Sequence, residues 1–89
     1  MKLKGTFTIR EVAGEILAIP VGRTALELNG MIILNPVSQV IWEQLEKGTS
    51  LQALVGAVTD LFQVDPQEAE ADIVEFLSEL RKQDLLDET

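Results

Sequence analysis

The sequence contains no cysteine and no histidine, and these two absences limit the chemistry that the chain can perform. Without cysteine there is no disulfide framework, no thiolate nucleophile and no cysteine metal site. Without histidine the chain lacks the most frequent general base and the most frequent transition-metal ligand. Carboxylates remain, but no phosphate loop, zinc spacing or calcium-loop pattern accompanies them. We therefore expect no catalytic residues, no metal site and no cofactor.

Long apolar runs are missing as well. No stretch approaches the roughly 20 apolar residues that a membrane span needs. The lysines near the start are not followed by the apolar run of a secretory signal. We therefore expect a cytoplasmic protein with no membrane partner, and the 89 residues predict a single domain over 1–89.

Basic residues are few and unevenly placed. Seven lysines and arginines stand against fifteen acidic residues, a net charge of −8. Residues 1–23 hold four basic and two acidic residues, whereas 24–89 hold three basic and thirteen acidic ones. A surface with this charge repels nucleic-acid backbones, so we expect no nucleic-acid partner.

The first third of the chain has the pattern of antiparallel strands. Apolar and polar residues alternate from Phe7, and Ala13-Gly14 predicts a tight reversal into a second strand at Glu15–Val21. Asn29-Gly30 is suited to positive φ and predicts a further turn. The third strand follows at Met31–Leu34.

The other two thirds have the periodicity of three helices, with well-marked ends. Asn35 is a good N-cap followed by proline, and Gly48 ends that helix. Thr49, with glutamine three residues later, predicts a capping box for the second helix. Asp65 repeats the cap-and-proline pattern for the third, which we expect to end near Gln83. The fold class is therefore α+β and winged-helix-like, a three-stranded antiparallel sheet followed by three helices.

The third strand does not alternate, because Met31, Ile32, Ile33 and Leu34 are all apolar. Two interpretations carry equal weight at this point. The strand is central and covered on both faces by the chain's own helices, or it lies at an open edge that accepts an extended peptide as one more strand. The same open edge could pair with a second copy, so a homodimer through 31–34 also stays open.

The helix order also raises DNA binding, as in a winged-helix regulator, and this is the alternative function. A recognition helix needs basic and amide side chains toward bases and phosphates. Residues 65–84 instead hold seven acidic and two basic residues, so the charge argues against it.

Three segments together resemble the PqqD family from Phe7 to nearly the C-terminus. They are FTIREVAGEILAIPVG, LNGMIILNPVSQVIWEQLEKG and DPQEAEADIVEFLSELRKQDLL. Within them, Leu34-Asn35 ends a strand, Ile41-Trp42-Glu43 lies in a helix, and Phe76-Leu77-x-x-Leu80 follows an Asp-Pro helix start. Trp42 itself we expect in the core rather than in a binding site.

This resemblance implies a non-catalytic peptide chaperone, also called a RiPP recognition element. Members of the family hold the leader of a ribosomally made precursor peptide and present it to a modifying enzyme, often a radical S-adenosylmethionine enzyme. Pyrroloquinoline quinone biosynthesis gave the family its name. Two departures from its pattern, at Asp84 and at 36–38, are expected to lie away from the peptide groove.

The resemblance also implies a place for the leader, which adds to the third strand and lies against the third helix. On a helical wheel, Asp72 and Glu79 flank the apolar side of that helix near Phe76, and Glu70 lies on the other flank. The expected peptide-binding residues are Met31, Ile32, Ile33, Leu34, Asp72, Phe76 and Glu79. Apolar strand atoms and Phe76, with carboxylates at the rim, suit a leader with one or two apolar anchors and a nearby lysine or arginine.

Overall fold

A computed structural model describes residues 1–28 and 30–88 as a three-stranded antiparallel sheet, a second small sheet and four helices. In chain order the elements are β1 (Lys2–Leu3), β2 (Phe7–Val12), β3 (Glu15–Pro20), α1 (Arg23–Glu27), β4 (Ile32–Leu34), α2 (Pro36–Lys47), α3 (Leu51–Phe62), α4 (Pro66–Lys82) and β5 (Leu86–Asp87). The larger sheet has the strand order β2-β3-β4. The predicted α+β class, with this sheet ahead of three long helices, is confirmed.

The hairpin between β2 and β3 turns at the predicted place. Ala13 and Gly14 both have positive φ, at 53° and 83°, and Val12 pairs with Glu15 across them. Positive φ at both central residues defines a type I′ turn, whose twist matches that of the flanking strands. The second predicted turn has Gly30 at φ +98°, while Asn29 lies outside the described residues.

Two of the three predicted helix starts are confirmed. The Asn35 side chain accepts a hydrogen bond from the Ser38 backbone N–H, and the Ser38 hydroxyl accepts one from the Asn35 N–H, both at 2.8 Å. The Asp65 carboxylate accepts from the Gln67 N–H at 2.8 Å. Helix α2 has Gly48 as its C-cap, and α4 has Gln83, as the sequence predicted.

The predicted start of the second long helix is wrong by one residue. Ser50, not Thr49, is the N-cap, and its hydroxyl accepts from the Ala53 N–H at 3.1 Å. Thr49 is occupied elsewhere, because its N–H donates to the Met1 carbonyl at 2.9 Å and its own carbonyl accepts from the Met1 ammonium at 2.8 Å. These two long-range bonds hold Thr49 outside the helix.

Three short elements were not predicted. Strands β1 and β5 pair with each other and bring the two ends of the described chain together. Helix α1 has no side-chain cap and buries none of its residues. Elements of two to five residues are too short to show a periodic apolar pattern, so the sequence gives no sign of them.

One apolar cluster lies between the larger sheet and the three long helices. Its fully buried members are Ala18, Ile41, Trp42, Leu45, Leu54, Ala69, Ile73 and Leu80, each with at most 1% of its surface exposed. The ring of Phe7 meets Trp42 edge to face, with centroids 4.9 Å apart, a favourable aromatic geometry. The prediction that Trp42 belongs to the core is confirmed. No helix within residues 1–28 and 30–88 is long and apolar enough to cross a membrane.

Candidate peptide-binding edge and cavity

Strand β4 lies at one edge of the larger sheet. It pairs with β3 on one side, and among the described residues no strand pairs with it on the other. The strand is shorter than the predicted Met31–Leu34, because Met31 lies just before it and is 54% exposed. Leu34 is buried, but Ile33 is 65% exposed. The outer face of the strand is therefore apolar and uncovered.

The turn at Ala13-Gly14 decides which backbone groups of β3 face each neighbour. In a two-residue hairpin, the residues flanking the turn exchange a pair of hydrogen bonds. Glu15 therefore bonds to β2, and so does every second residue after it. The Val21 N–H donates to the Thr6 carbonyl at 3.0 Å, which continues the same alternation past the strand ends. The backbone N–H and C=O groups of the even-numbered residues of β3 consequently point toward β4.

This alternation fixes the direction of the backbone groups in β4. The pairs Ile16↔Leu34 and Ala18↔Ile32 join even-numbered β3 residues to β4, so they hold the hydrogen bonds of that ladder. Ile33 lies between them, and its N–H and C=O point away from β3. The open edge thus offers one donor and one acceptor at Ile33.

The capping box of α2 closes this edge at its C-terminal end. By the same alternation the Asn35 N–H points outward, but it donates to the Ser38 hydroxyl at 2.8 Å. The Asn35 carbonyl accepts the first helical bond, from the Gln39 N–H at 2.9 Å. An incoming strand can therefore pair with Ile33 and with residues before it, but not with Asn35.

A cavity of about 420 Å³ opens beside this edge, between β4, the first turns of α2 and one side of α4. Its size falls in the range of about 300–1,000 Å³ that is typical of ligand sites. Its apolar lining residues are Val37, Ile41 and Phe76, together with Ile33 at the open edge of β4, whose side chain is mostly exposed. The polar lining comes from Asn35, Ser38, Asp72, Glu75 and Glu79.

The charged lining of the cavity is entirely acidic. Asp72, Glu75 and Glu79 lie on one side of α4 at intervals of three and four residues, which places them on one helical face. Lys82 donates to Glu79 at 3.2 Å, in a pair with both side chains more than half exposed. Such a pair contributes little and is readily exchanged. The rim therefore favours a positively charged ligand.

Four of the seven predicted binding residues line this cavity, namely Ile33, Asp72, Phe76 and Glu79. The other three do not. Leu34 is buried in the core, Ile32 packs against it, and Met31 lies before the strand. Alternation along the strand separates Ile32 and Leu34 from Ile33, because successive side chains point to opposite faces.

Five lining residues were not predicted as site residues. Glu75 shares the helical face of Asp72 and Glu79, so its spacing was a usable signal. Val37 and Ile41 are four residues apart on α2, and only the packing of α2 against β4 shows that they face the cavity. Val37 and Ser38 also correct the expectation that 36–38 lies away from the groove.

The ion pairs with shifted pKa values lie outside this cavity. Hydrogen bonds from the Arg81 guanidinium, at 2.8–3.0 Å, lower the pKa of Glu88 and raise that of Arg81. The hydrogen bond to Asp84, at 2.9 Å, raises the pKa of Lys4. Within the described part of the chain, no group of three or more acidic side chains is arranged to hold a metal ion.

Comparison with known proteins relates these elements to a family. The family model "Coenzyme PQQ synthesis protein D (PqqD)" matches residues 20–86, a span that contains β4, α2 and α4. The solved structure of TbiB1 in complex with the TbiA(beta) leader peptide has a similar fold, with a TM-score of 0.74 and 24% sequence identity. That similarity covers 100% of this chain and 98% of the other. No curated protein matches the chain.

Proposed function

The chain belongs to the PqqD family, and on this premise we propose that it is a non-catalytic peptide chaperone. In this proposal it binds the leader of a ribosomally made precursor peptide as an added strand on β4. The observation that carries the proposal is the outward-facing N–H and C=O of Ile33, next to a cavity of about 420 Å³. The structure of TbiB1 with a leader peptide supports a peptide-binding role.

Strand addition at β4 would use backbone groups that the fold leaves open. A peptide residue placed opposite Ile33 would exchange two hydrogen bonds with it, each worth about 0.5–1.5 kcal/mol net. A second pair becomes available at Met31 if the peptide extends the strand backward. Because these bonds involve only the backbone, they hold a strand without selecting its sequence, and side chains must supply the specificity.

The absence of histidine and cysteine from the sequence supports a role in recognition rather than catalysis. We propose that the chemistry belongs to a partner enzyme, of the radical S-adenosylmethionine type that the family resemblance implies. The leader and that enzyme would meet in the cytoplasm. Pyrroloquinoline quinone biosynthesis or a related peptide-modification pathway would be the setting, with 1–89 acting as one peptide-binding domain.

A second copy of the chain is the competing occupant of the open edge. Two copies pairing through 31–34 would form a continuous sheet, but each carries a net charge of −8, and like charges oppose association. We therefore favour the peptide. Sedimentation at increasing protein concentration distinguishes the two, since a dimer would form without any added peptide.

Amide hydrogen exchange of the labelled protein tests the proposal directly. The probe is a synthetic leader peptide taken from a candidate precursor among the short open reading frames near this gene. In the free protein, Ile32 and Leu34 should exchange slowly and Ile33 quickly, because only Ile33 lacks a ladder bond. Adding the leader should slow Ile33 and shift signals over 68–80. Exchange or signal changes confined to α2 and α3, with none at 30–35 or 68–80, would refute the assignment of the peptide groove to β4 and α4.

A further inference from the structure

The alternation of an added strand determines which of its side chains enter the cavity. A residue opposite Ile33 points to the same face as Ile33, which is the outer, exposed face of the sheet. Its two neighbours in the peptide point to the other face, toward the cavity and the helices. Residues that share the cavity side are therefore two positions apart, separated by about 6.6 Å.

Along α4 the cavity is lined in order by Asp72, Glu75, Phe76 and Glu79, so the apolar ring has carboxylates on both sides of it along the helix. Asp72 lies about 6 Å along the helix axis before Phe76, and Glu79 about 4.5 Å after it, from a rise of about 1.5 Å per residue. These intervals are close to the spacing of alternate residues in a strand. Where the added strand runs alongside α4, a side chain held against Phe76 has its two same-side neighbours near one carboxylate each.

The floor of the cavity is apolar and its rim is acidic, so the two parts favour different side chains of a ligand. Val37 and Phe76 at the floor are only partly buried, so they gain from covering by an apolar side chain. The carboxylates at the rim gain from a cation, and the long stems of lysine and arginine adapt to small differences in angle. Glu79 already meets Lys82, but in an exposed pair that a peptide cation can replace.

Resting on the proposed function, we propose that the bound leader segment has the pattern basic–x–apolar–x–basic. The apolar side chain fills the floor against Phe76, and the two basic side chains meet Asp72 and Glu79. Glu75, between them on the same helical face, adds to the attraction. The intervening residues lie on the outer side of the sheet, where the exposed Ile33 side chain favours an apolar neighbour.

Three synthetic peptides with the same uncharged flanks test this pattern. One contains Lys-Val-Leu-Val-Lys, one contains Glu-Val-Leu-Val-Glu, and one contains Val-Lys-Leu-Lys-Val. The last has the composition and charge of the first, but its lysines share a face without the central leucine. We expect the first to bind at least about tenfold more tightly than either control, a difference of about 1.4 kcal/mol. The gap to the glutamate peptide should narrow at high salt.

Reversing the charge of one rim residue tests whether the rim carboxylates cause the preference for the first peptide. Asp72→Lys should lower the affinity for Lys-Val-Leu-Val-Lys and raise the affinity for Glu-Val-Leu-Val-Glu, by about three- to tenfold each. Glu70→Lys makes the same change on the opposite flank of α4, where Glu70 lines a different surface, and should do neither. Equal effects of the two variants would show that only net charge matters, and would overturn the pattern.

The outcomes separate this inference from the function on which it rests. If all three peptides bind equally well and slow the exchange of Ile33, the pattern is wrong while strand addition stands. The same holds if the two lysine peptides bind equally. If none of the peptides slows Ile33 or shifts 68–80, both the pattern and strand addition at β4 are overturned.

Discussion

Replacement of Ile33 by proline separates the proposed binding edge from the stability of the sheet. Proline has no N–H, so Ile33→Pro deletes the outward donor of β4. The β3–β4 ladder should survive, because its hydrogen bonds belong to the pairs of Ile32 and Leu34. Proline is tolerated at an edge strand when its missing N–H faces solvent. The side chain is 65% exposed, so little apolar burial is lost.

The expected loss of leader affinity follows from the number of bonds at Ile33. The proline ring removes one hydrogen bond and keeps the peptide backbone from the distance that the second one needs. Two bonds at about 0.5–1.5 kcal/mol each amount to about 1–3 kcal/mol. Leader affinity should therefore fall by about 5- to 140-fold, whereas the free energy of unfolding should change by less than about 1 kcal/mol.

Calorimetric titration with the leader and thermal melting of each variant measure these two quantities. Ile32→Pro is the first control, since its N–H faces β3 and its loss should destabilise the fold. Glu11→Pro is the second control, because Glu11 lies at the opposite edge of the same sheet and its N–H also points outward. The Glu11→Pro variant should therefore bind the leader normally. Ile33→Ala keeps the N–H and isolates the side chain.

Two results would refute the reasoning about Ile33. Wild-type affinity in a folded Ile33→Pro variant would show that the leader does not add to β4. Unfolding of Ile33→Pro to the same degree as Ile32→Pro would show that the alternation deduced from the type I′ turn is wrong.

Three further predictions concern stability. Ala13 has φ 53°, a left-handed conformation that is less favourable for alanine than for asparagine. Ala13→Asn should therefore raise the free energy of unfolding, measured in urea titrations, by about 1 kcal/mol. An unchanged free energy of unfolding would contradict a type I′ turn. Ser50→Ala should cost about 1 kcal/mol and Thr49→Ala less, because Ser50 caps α3; the reverse order in thermal melts would restore the cap predicted from sequence. The pKa of Glu88 is lowered by Arg81, so its contribution is present above the pKa of the unfolded chain and is lost as the pH falls through the lowered value. Wild type should therefore melt at a higher temperature than Glu88→Gln at about pH 7. The difference should shrink as the pH falls through the lowered pKa of Glu88, and a difference that grows on acidification would contradict the pairing.

Local sequence determined the secondary structure wherever a residue acts on its own neighbours. Asn35 and Asp65 cap the backbone within three residues of themselves, so their effect needs no tertiary contact. Ala13-Gly14 sets the hairpin turn in the same way. The periodic apolar residues of α2, α3 and α4 likewise place one side of each helix in the core.

Tertiary contacts decided the features that short-range patterns do not encode. Thr49 would be an acceptable cap, but Met1 binds it from 48 residues away, and the helix begins one residue later. Strands β1 and β5 exist only because the described ends of the chain meet.

At the candidate binding edge, too, some features follow from the local sequence and others from tertiary contacts. Four apolar residues at 31–34 predicted either a central strand covered on both faces or an open edge that accepts a peptide, but not which residues point outward. The type I′ turn and the register with β3 give the outward direction to Ile33, and the packing of α2 and α4 places Val37, Phe76 and Glu75 beside it. The amino-acid sequence settles which residues are apolar and which are acidic, because these are properties of each side chain alone. Which of them line the same cavity depends on contacts between elements that are distant in the chain, so it follows only from the way the elements pack together.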